Sequence, residues 1–380
     1  MPLRKTDTHF AMSLNFLHVV GARPNFMKLA PLHRAIAQTE LSQKIVHTGQ
    51  HYDSQMSDVF FEQLQIPAPD YHLGVGSASH ATQTAQIMLA FEPILQQEKP
   101  NCVVVYGDVN STLAATLVAV KMGVKVAHVE AGLRSRDRTM PEELNRILTD
   151  SVADVLLTPS PDANENLLKE GIDARKIHLV GNIMIDSLCF ALSFIEQNPA
   201  CTAEAQKILE RVGKENFILS TVHRPSNVDS PDALHELFAV FKQIAKDNYF
   251  VLPLHPRTRK QLENAQILSN LPPKMLLTEP LSYFDFIYLQ KNAFCVLTDS
   301  GGIQEESTFL KVPCLTLRHN TERPITITEG TNELIGNDWQ LLYEKLQAIQ
   351  HGTYKKGKDI ALWDGKTAQR IVEVLRKVIA

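Results

Sequence analysis

Nothing in this 380-residue sequence approaches the roughly 18 uninterrupted apolar residues that a membrane-spanning helix needs. Residues Met1 to Ser13 are too polar for a secretory signal peptide, so the cytoplasm is the expected compartment and this opening stretch a loose extension. Cysteine is sparse. Cys102, Cys189, Cys201, Cys295 and Cys314 are five in number, widely spaced and without a CxxC pair, which argues against a disulfide framework or a zinc site and for reduced core thiols. Neither sign of charge dominates: 38 basic against 42 acidic residues leaves a net charge of -4, with no hint of a nucleic-acid partner. Internal repeats and low-complexity tracts are also missing.

What is present is length and rhythm. A chain of 380 residues exceeds what one core usually fills, and 44% hydrophobic with 21% charged residues is the balance of an ordinary globular protein. From Leu14, strand-like and helix-like segments alternate with short breaks. The strands are expected at Leu14–Val20, Lys44–Thr48, Tyr71–Val75, Cys102–Tyr106, Val124–Val129, Val155–Thr158 and Ile177–Val180. Helices are expected between them, among them Asn25–Gln38, His51–Leu64, Ala81–Gln97, Ser111–Met122 and Glu142–Ala153. After the helix Ile183–Ile195, the segment Glu196-Gln197-Asn198-Pro199 reads as a linker. A second series follows, with strands at Phe217–Thr221, Phe250–Leu254, Met275–Leu277, Phe294–Leu297 and Cys314–Leu317. The expectation is an α/β protein of two doubly wound domains, 14–195 and 202–365, facing each other across a cleft at the carboxyl ends of their strands.

Several strand ends carry chemistry. Thr298-Asp299-Ser300-Gly301-Gly302-Ile303-Gln304-Glu305-Glu306 is a strand-to-helix turn whose glycines and unpaired first amides suit a phosphate, with Glu306 one turn inside and able to reach a ribose. Ser300 acting only as a helix cap is the plainer reading. Gly21-Ala22-Arg23-Pro24-Asn25, with Lys28, offers two cations at a helix start, either as a diphosphate clamp or as solvated charges. Asp108 and Glu130 follow two parallel strands directly. Thr139-Met140-Pro141-Glu142 fits a capping box, and Arg146, four residues on, is expected to pair with Glu142. His223, His255 and Arg323 complete the cleft-side candidates. Gly74-Val75-Gly76 lacks the third glycine of a dinucleotide fingerprint, and Gly49 breaks any helix aligning His47 with His51, so neither a nicotinamide cofactor nor a metal is expected.

In order along the chain, Gly21-Ala22-Arg23-Pro24, Thr48-Gly49-Gln50-His51, Gly107-Asp108, His128-Val129-Glu130-Ala131-Gly132-Leu133-Arg134, Pro141-Glu142-Glu143 with Asn145-Arg146, Gly181-Asn182, Thr298 to Glu306 and Thr321-Glu322-Arg323-Pro324 resemble the non-hydrolysing UDP-N-acetylglucosamine 2-epimerase family from about Leu14 to the end. Each motif is weak by itself; the ordered set is specific. The resemblance implies a GT-B arrangement of two Rossmann-like domains, a homodimer, and a last helix (366–380) crossing back to the first domain. It implies UDP held by Arg23, Lys28, His223, Phe286, Ser300, Gly301, Gly302, Glu306 and Arg323, with Phe286 against the uracil. It further implies Lys28, Asp108, Glu130, Glu142, Arg146 and His223 as the catalytic set, and no cofactor or metal.

The implied chemistry expels UDP from C1 of UDP-N-acetylglucosamine, which makes the C2 proton removable, and re-adds it to 2-acetamidoglucal after protonation on the other face. Asp108 and Glu142 are the leading acid/base pair, with Glu130 in reserve. Three segments depart from the family's commonest pattern: Asn25 stands for a glutamate, Pro225-Ser226 stand for an arginine and a glutamate, and Gln50-His51-Tyr52-Asp53-Ser54 replaces a segment linked to substrate activation, so hyperbolic kinetics are expected. A GT-B glycosyltransferase, an epimerase of a modified UDP-N-acetyl sugar, a hydrolysing epimerase and a non-catalytic sensor are the alternative readings.

Overall fold

The computed structural model describes residues 14–50, 61–254 and 256–379. Two separate parallel sheets organise it. The first has seven strands: β1 (Asn15–Val20), β2 (Ser42–His47), β3 (Tyr71–His72), β4 (Cys102–Tyr106), β5 (Lys125–Val129), β6 (Val155–Thr158) and β7 (Ile177–Leu179), in the order β3-β2-β1-β4-β5-β6-β7. The second has six: β8 (Phe217–Thr221), β9 (Tyr249–Pro253), β10 (Met275–Thr278), β11 (Cys295–Thr298), β12 (Cys314–Thr316) and β13 (Asn332–Leu334), in the order β10-β9-β8-β11-β12-β13. Both are doubly wound, and their strand order reverses between β1 and β4 and between β8 and β11. Those two switch points are where such sheets open a crevice for ligands.

Burial on both faces explains why the central strands read as continuous apolar runs rather than alternating ones. Along β4, Val104 and Tyr106 enter one core while Val103 and Val105 enter the other. The second sheet is sandwiched in the same way, Leu297 on one side and Val296 on the other. All five cysteines are free thiols, and burial pushes Cys102 and Cys314 up to about 12, so neither is a ready nucleophile.

The last helix, Thr367–Ile379, packs on helices Arg23–Ala37 and Ile183–Gln197 of the first sheet's layer. Ile371, Val372, Leu375 and Ile379 enter the first core, each worth roughly 1.5–3 kcal/mol on full burial. Its start is held by Asp186, which accepts from the backbone N–H groups of Thr367 and Ala368 at 3.1 and 2.8 Å.

Some expectations needed correction. Glu196 and Gln197 are not linker but the end of the Ile183–Gln197 helix, and Pro199 starts a 3-10 turn, Pro199–Thr202, that runs into a further helix, Ala203–Val212. A proline suits a first helical position, so its presence here opens a helix rather than a loop. The third strand stops at His72, ahead of Gly74 in the left-handed region at φ +67°. β13 went unread because Asn332-Glu333-Leu334 contains a single apolar residue. Most of the helix expected over His51–Leu64 lies outside the described residues.

Candidate functional site

The first switch point is built around Asn25. Its Oδ1 accepts from the N–H groups of Gly21 and Ala22 at 3.1 and 3.2 Å, and its Nδ2 donates to the carbonyl of Tyr106 at 2.8 Å, tying the ends of β1 and β4 together. An asparagine has both donor and acceptor for this task; a glutamate would lack the donor. Gly21 fits because a Cβ there would lie 2.2 Å from Ser111 Oγ. Lys28, one turn into the helix, is buried and ion-paired with Glu130. Glu130 itself sits at φ +74°, a conformation that non-glycine residues adopt at a cost and that recurs at functional sites.

Asp108 receives Arg146 at 2.6 Å, and the same guanidinium reaches Glu143 at 2.8 Å. The expected Glu142–Arg146 pair is therefore not formed: Glu143, three residues before Arg146, takes it. The capping box is also absent, because Thr139 bonds Asp137 and the helix Pro141–Val152 begins after Met140 without a side-chain cap. Glu143 instead accepts from the N–H groups of Ser135 and Arg136 at 2.8 and 3.0 Å. Glu142 is left half-buried, and no hydrogen bond or ion pair to it is seen among the described residues. Its charge is felt by Arg224 of the second sheet's layer. Burial works against the charge on Asp108, but Arg146, Lys28 and Arg323 outweigh it and hold this carboxyl below its usual range.

At the second switch point, Asp299 is fully buried at the end of β11 and gathers the end of β8. It accepts from the N–H groups of His223 and Arg224 at 3.0 and 2.9 Å and from Asn227 at 2.9 Å. It also lies 3.1 Å from His223 Nδ1, which fixes an imidazole whose side chain is 51% exposed and whose Nε2 has no partner seen among the described residues. Ser300 occupies the cap position of the helix Gly301–Leu310, yet its hydroxyl makes no capping bond, so the plainer reading of this serine is not what forms. Gly301 lies against the Arg323–Glu322 ion pair: a Cβ would come within 2.6 Å of Arg323 Nη1 and 2.7 Å of Glu322 Oε1, so a larger residue would have to displace those side-chain ends. Gly302 is not so confined, since a Cβ there would meet only Met184 Cε at 3.8 Å. The half-buried first turn of this helix can therefore accept an anion.

Arg323 joins the two halves. It pairs with Glu305 at 2.9 Å and with Glu322, and crosses to Glu130 at 3.1 Å. Glu322 also pairs with Arg318 at 2.8 Å. Burial opposes its charge, but Arg323, Arg318 and Arg146 hold it well below the ordinary range. Arg23 opens the helix Arg23–Ala37, is exposed, and lies within the electrostatic reach of Glu306. Phe286 is half-buried against the smaller core of the second sheet, on the helix Tyr283–Asn292. His255 and the segment 51–54 lie outside the described residues. His47 stacks with Phe26 and His72, and no group of three metal-ligating side chains occurs among the described residues.

Glu306 is buried and accepts from Tyr283 Oη at 3.1 Å. Burial pushes its carboxyl up to about 7, with Glu305 adding and Tyr283 and Arg23 opposing. A carboxyl raised on folding contributes stability that is complete below its unfolded value, near 4.5, and is lost as pH rises through about 7. Glu306→Gln should therefore match the parent near pH 4.5 but exceed it by up to about 3 kcal/mol at pH 8. Urea denaturation at both pH values tests this, and an equal difference at the two would contradict it.

Glu305, Glu322, Asp299, Glu143 and Tyr283 were not singled out as site residues from the sequence. Four of them lie inside or beside quoted motifs, but only the folded chain shows which charge each one faces.

The comparisons with known proteins run in the same direction as this geometry. The UDP-N-acetylglucosamine 2-epimerase family model matches residues 34–376. Over 361 residues the chain is 41% identical to the UDP-N-acetylglucosamine 2-epimerase of Methanocaldococcus jannaschii, covering 94% of this chain and 97% of that one. It is 39% identical, over 96% of its length and 100% of the relative's, to the UDP-2,3-diacetamido-2,3-dideoxy-D-glucuronate 2-epimerase of Pseudomonas aeruginosa. The crystal structure of the Methanocaldococcus jannaschii UDP-GlcNAc 2-epimerase in complex with UDP-GlcNAc and UDP superposes with a TM-score of 0.87 at 40% identity, covering 96% of this chain and 100% of that one. With two GT-B-type domains meeting at their switch points and a sequence match across nearly its whole length, the chain belongs to the UDP-N-acetylglucosamine 2-epimerase family.

Proposed function

We propose that this chain interconverts UDP-N-acetylglucosamine and UDP-N-acetylmannosamine by eliminating UDP across C1–C2 and re-adding it. One observation carries the reading. Arg323, whose Nη1 a Cβ on Gly301 would approach to 2.6 Å at the helix start of the second sheet's layer, reaches Glu130 of the first at 3.1 Å, and Glu130 lies beside Gly107, the residue before Asp108. Acid/base groups and an anion acceptor thus share one crevice.

The diphosphate rests on the amides of Gly301 and Gly302 and the Ser300 hydroxyl, with Arg23, Lys28, His223 and Arg323 around it. Glu306 takes the ribose hydroxyls and Phe286 flanks the uracil. As the C1–O bond breaks, its electron pair leaves with UDP, and the positive charge growing at C1 makes the C2 proton acidic. One carboxylate removes that proton, giving 2-acetamidoglucal. A second carboxyl protonates C2 from the opposite face while UDP returns to C1. Asp108 and Glu142 are proposed for these roles, since a strand end and a helix start can bring them to the sugar from different directions. Arg146 keeps Asp108 ionised between turnovers. Glu130, already engaged by Lys28 and Arg323, orders those cations and is the reserve base.

Incubation with UDP-N-acetylglucosamine alone should give a second anomeric signal by proton NMR, without an acceptor and without net release of UDP or free N-acetylmannosamine. Turnover only with an added acceptor would point to a glycosyltransferase. The Pseudomonas aeruginosa relative favours a second substrate reading, a UDP sugar with a further acetamido or carboxylate group; faster turnover of that sugar in the same assay decides for it.

The enzyme is proposed to act in the cytoplasm as a homodimer. No helix among the described residues is long and apolar enough to cross a membrane. Leu144 and Leu148, one turn apart on the helix Pro141–Val152, are 37% and 48% exposed, and Val120 on the neighbouring helix Asn110–Lys121 is 36% exposed. Light scattering should give twice the 42.6 kDa chain mass, and Leu144→Lys with Leu148→Lys should give the monomer.

A further inference from the structure

His128 lies on β5, beside the end of β4 that leads to Asp108, and has no part in the chemistry described above. It is fully buried in β5, paired in register with Val105 of β4. Both ring nitrogens are engaged. Nε2 is 2.8 Å from the carbonyl oxygen of Gly107, and Nδ1 is 2.6 Å from Asp150 Oδ1. A carbonyl oxygen can only accept, so Nε2 carries a hydrogen. The other oxygen of Asp150 already accepts from the Gly132 N–H at 3.0 Å and from Arg134 at 2.7 Å, as an ionised carboxylate does. Nδ1 therefore carries a hydrogen as well.

We propose that His128 is a positioning residue: a buried imidazolium, held by Asp150, that donates from Nε2 to the Gly107 carbonyl and thereby fixes the turn presenting Asp108 to the sugar. Its kinetic consequence rests on the epimerase reading; its protonation does not. The charged groups nearest the ring are Asp150 from the helix Pro141–Val152 and, behind it, Arg134 and Glu170, which pair at 2.7 Å. Beyond Gly107 stand Asp108, Lys28 and Glu130.

The turn needs such a hold. Gly107 is buried at φ +62°, and a Cβ there would lie 2.7 Å from Lys28 Nζ and 3.2 Å from Glu130 Oε2. Its N–H donates to Val129 at 3.0 Å, so β5 grips both sides of the residue, and Asn145 donates to the Asp108 carbonyl at 2.8 Å. Neutral histidine cannot donate to Gly107 and to Asp150 together. A cation satisfies both.

Two measurements test this. In the wild-type chain with 15N-labelled histidine, assigned by through-bond correlation, His128 should show hydrogens on both ring nitrogens at neutral pH. A singly protonated ring would overturn the proposal, and this test needs no variant to fold. In steady-state kinetics, His128→Gln should lower kcat at least about tenfold with UDP affinity within about threefold of the parent, and Asp150→Asn should reproduce the split. Unchanged kcat, or equal losses of kcat and UDP affinity, would count against a positioning role. A wild-type chain that turns over no UDP sugar would contradict the epimerase reading, while the ring protonation would still decide the clamp.

Discussion

Gly302→Asp is expected to weaken UDP binding by at least about a hundredfold while leaving the protein folded. A carboxylate at the second position of the Gly301–Leu310 helix would occupy the space over its first amides, where the diphosphate is proposed to sit. Two like charges about 4 Å apart repel by about 4 kcal/mol at an effective dielectric constant near 20, enough for that loss. The fold has no reason to suffer. The new Cβ would touch only Met184 Cε at 3.8 Å, and an aspartate in a helix's first turn is favoured by the helix dipole. Gly302→Asn separates charge from bulk and should lose much less affinity. Calorimetry with UDP measures both variants, and Gly302→Asp binding as tightly as the parent would remove the phosphate from this helix.

Asp108→Asn should lower kcat by about 10²–10⁴ with UDP affinity changed by less than about threefold. The substitution removes a base without stranding its partner, because Arg146 keeps Glu143 at 2.8 Å. Glu142→Gln should behave similarly, and more cleanly, since no ion pair is disturbed among the described residues. A variant with parental kcat would return the acid/base role to Glu130.

The fold was legible because both sheets are buried on two faces and each strand appears as a short apolar block between turn residues. Cys102–Tyr106, Val155–Thr158 and Phe217–Thr221 have the same limits in the chain as in the sequence reading. β13 was lost because an edge strand of three residues with one leucine carries no periodic signal. The strand-end positions of Asp108, Glu130, His223 and Ser300 could be read from the apolar blocks alone, and doubly wound sheets open at that edge. Partner choice could not. Helical spacing allows Arg146 to meet either Glu142 or Glu143, and the winner is decided by Ser135 and Arg136, whose N–H groups draw Glu143 inward from a loop. Likewise, nothing in the sequence joins Arg323 to Glu130, 193 residues apart, until the two sheets face each other.

The central claim is that C2 loses its proton to the protein while UDP leaves C1. Turnover of UDP-N-acetylglucosamine in deuterated water tests it most directly. The account predicts deuterium at C2 of the UDP-N-acetylmannosamine formed, seen as loss of the H2 signal and collapse of its coupling to H1. Product that keeps its original C2 hydrogen in deuterated water would contradict elimination through 2-acetamidoglucal.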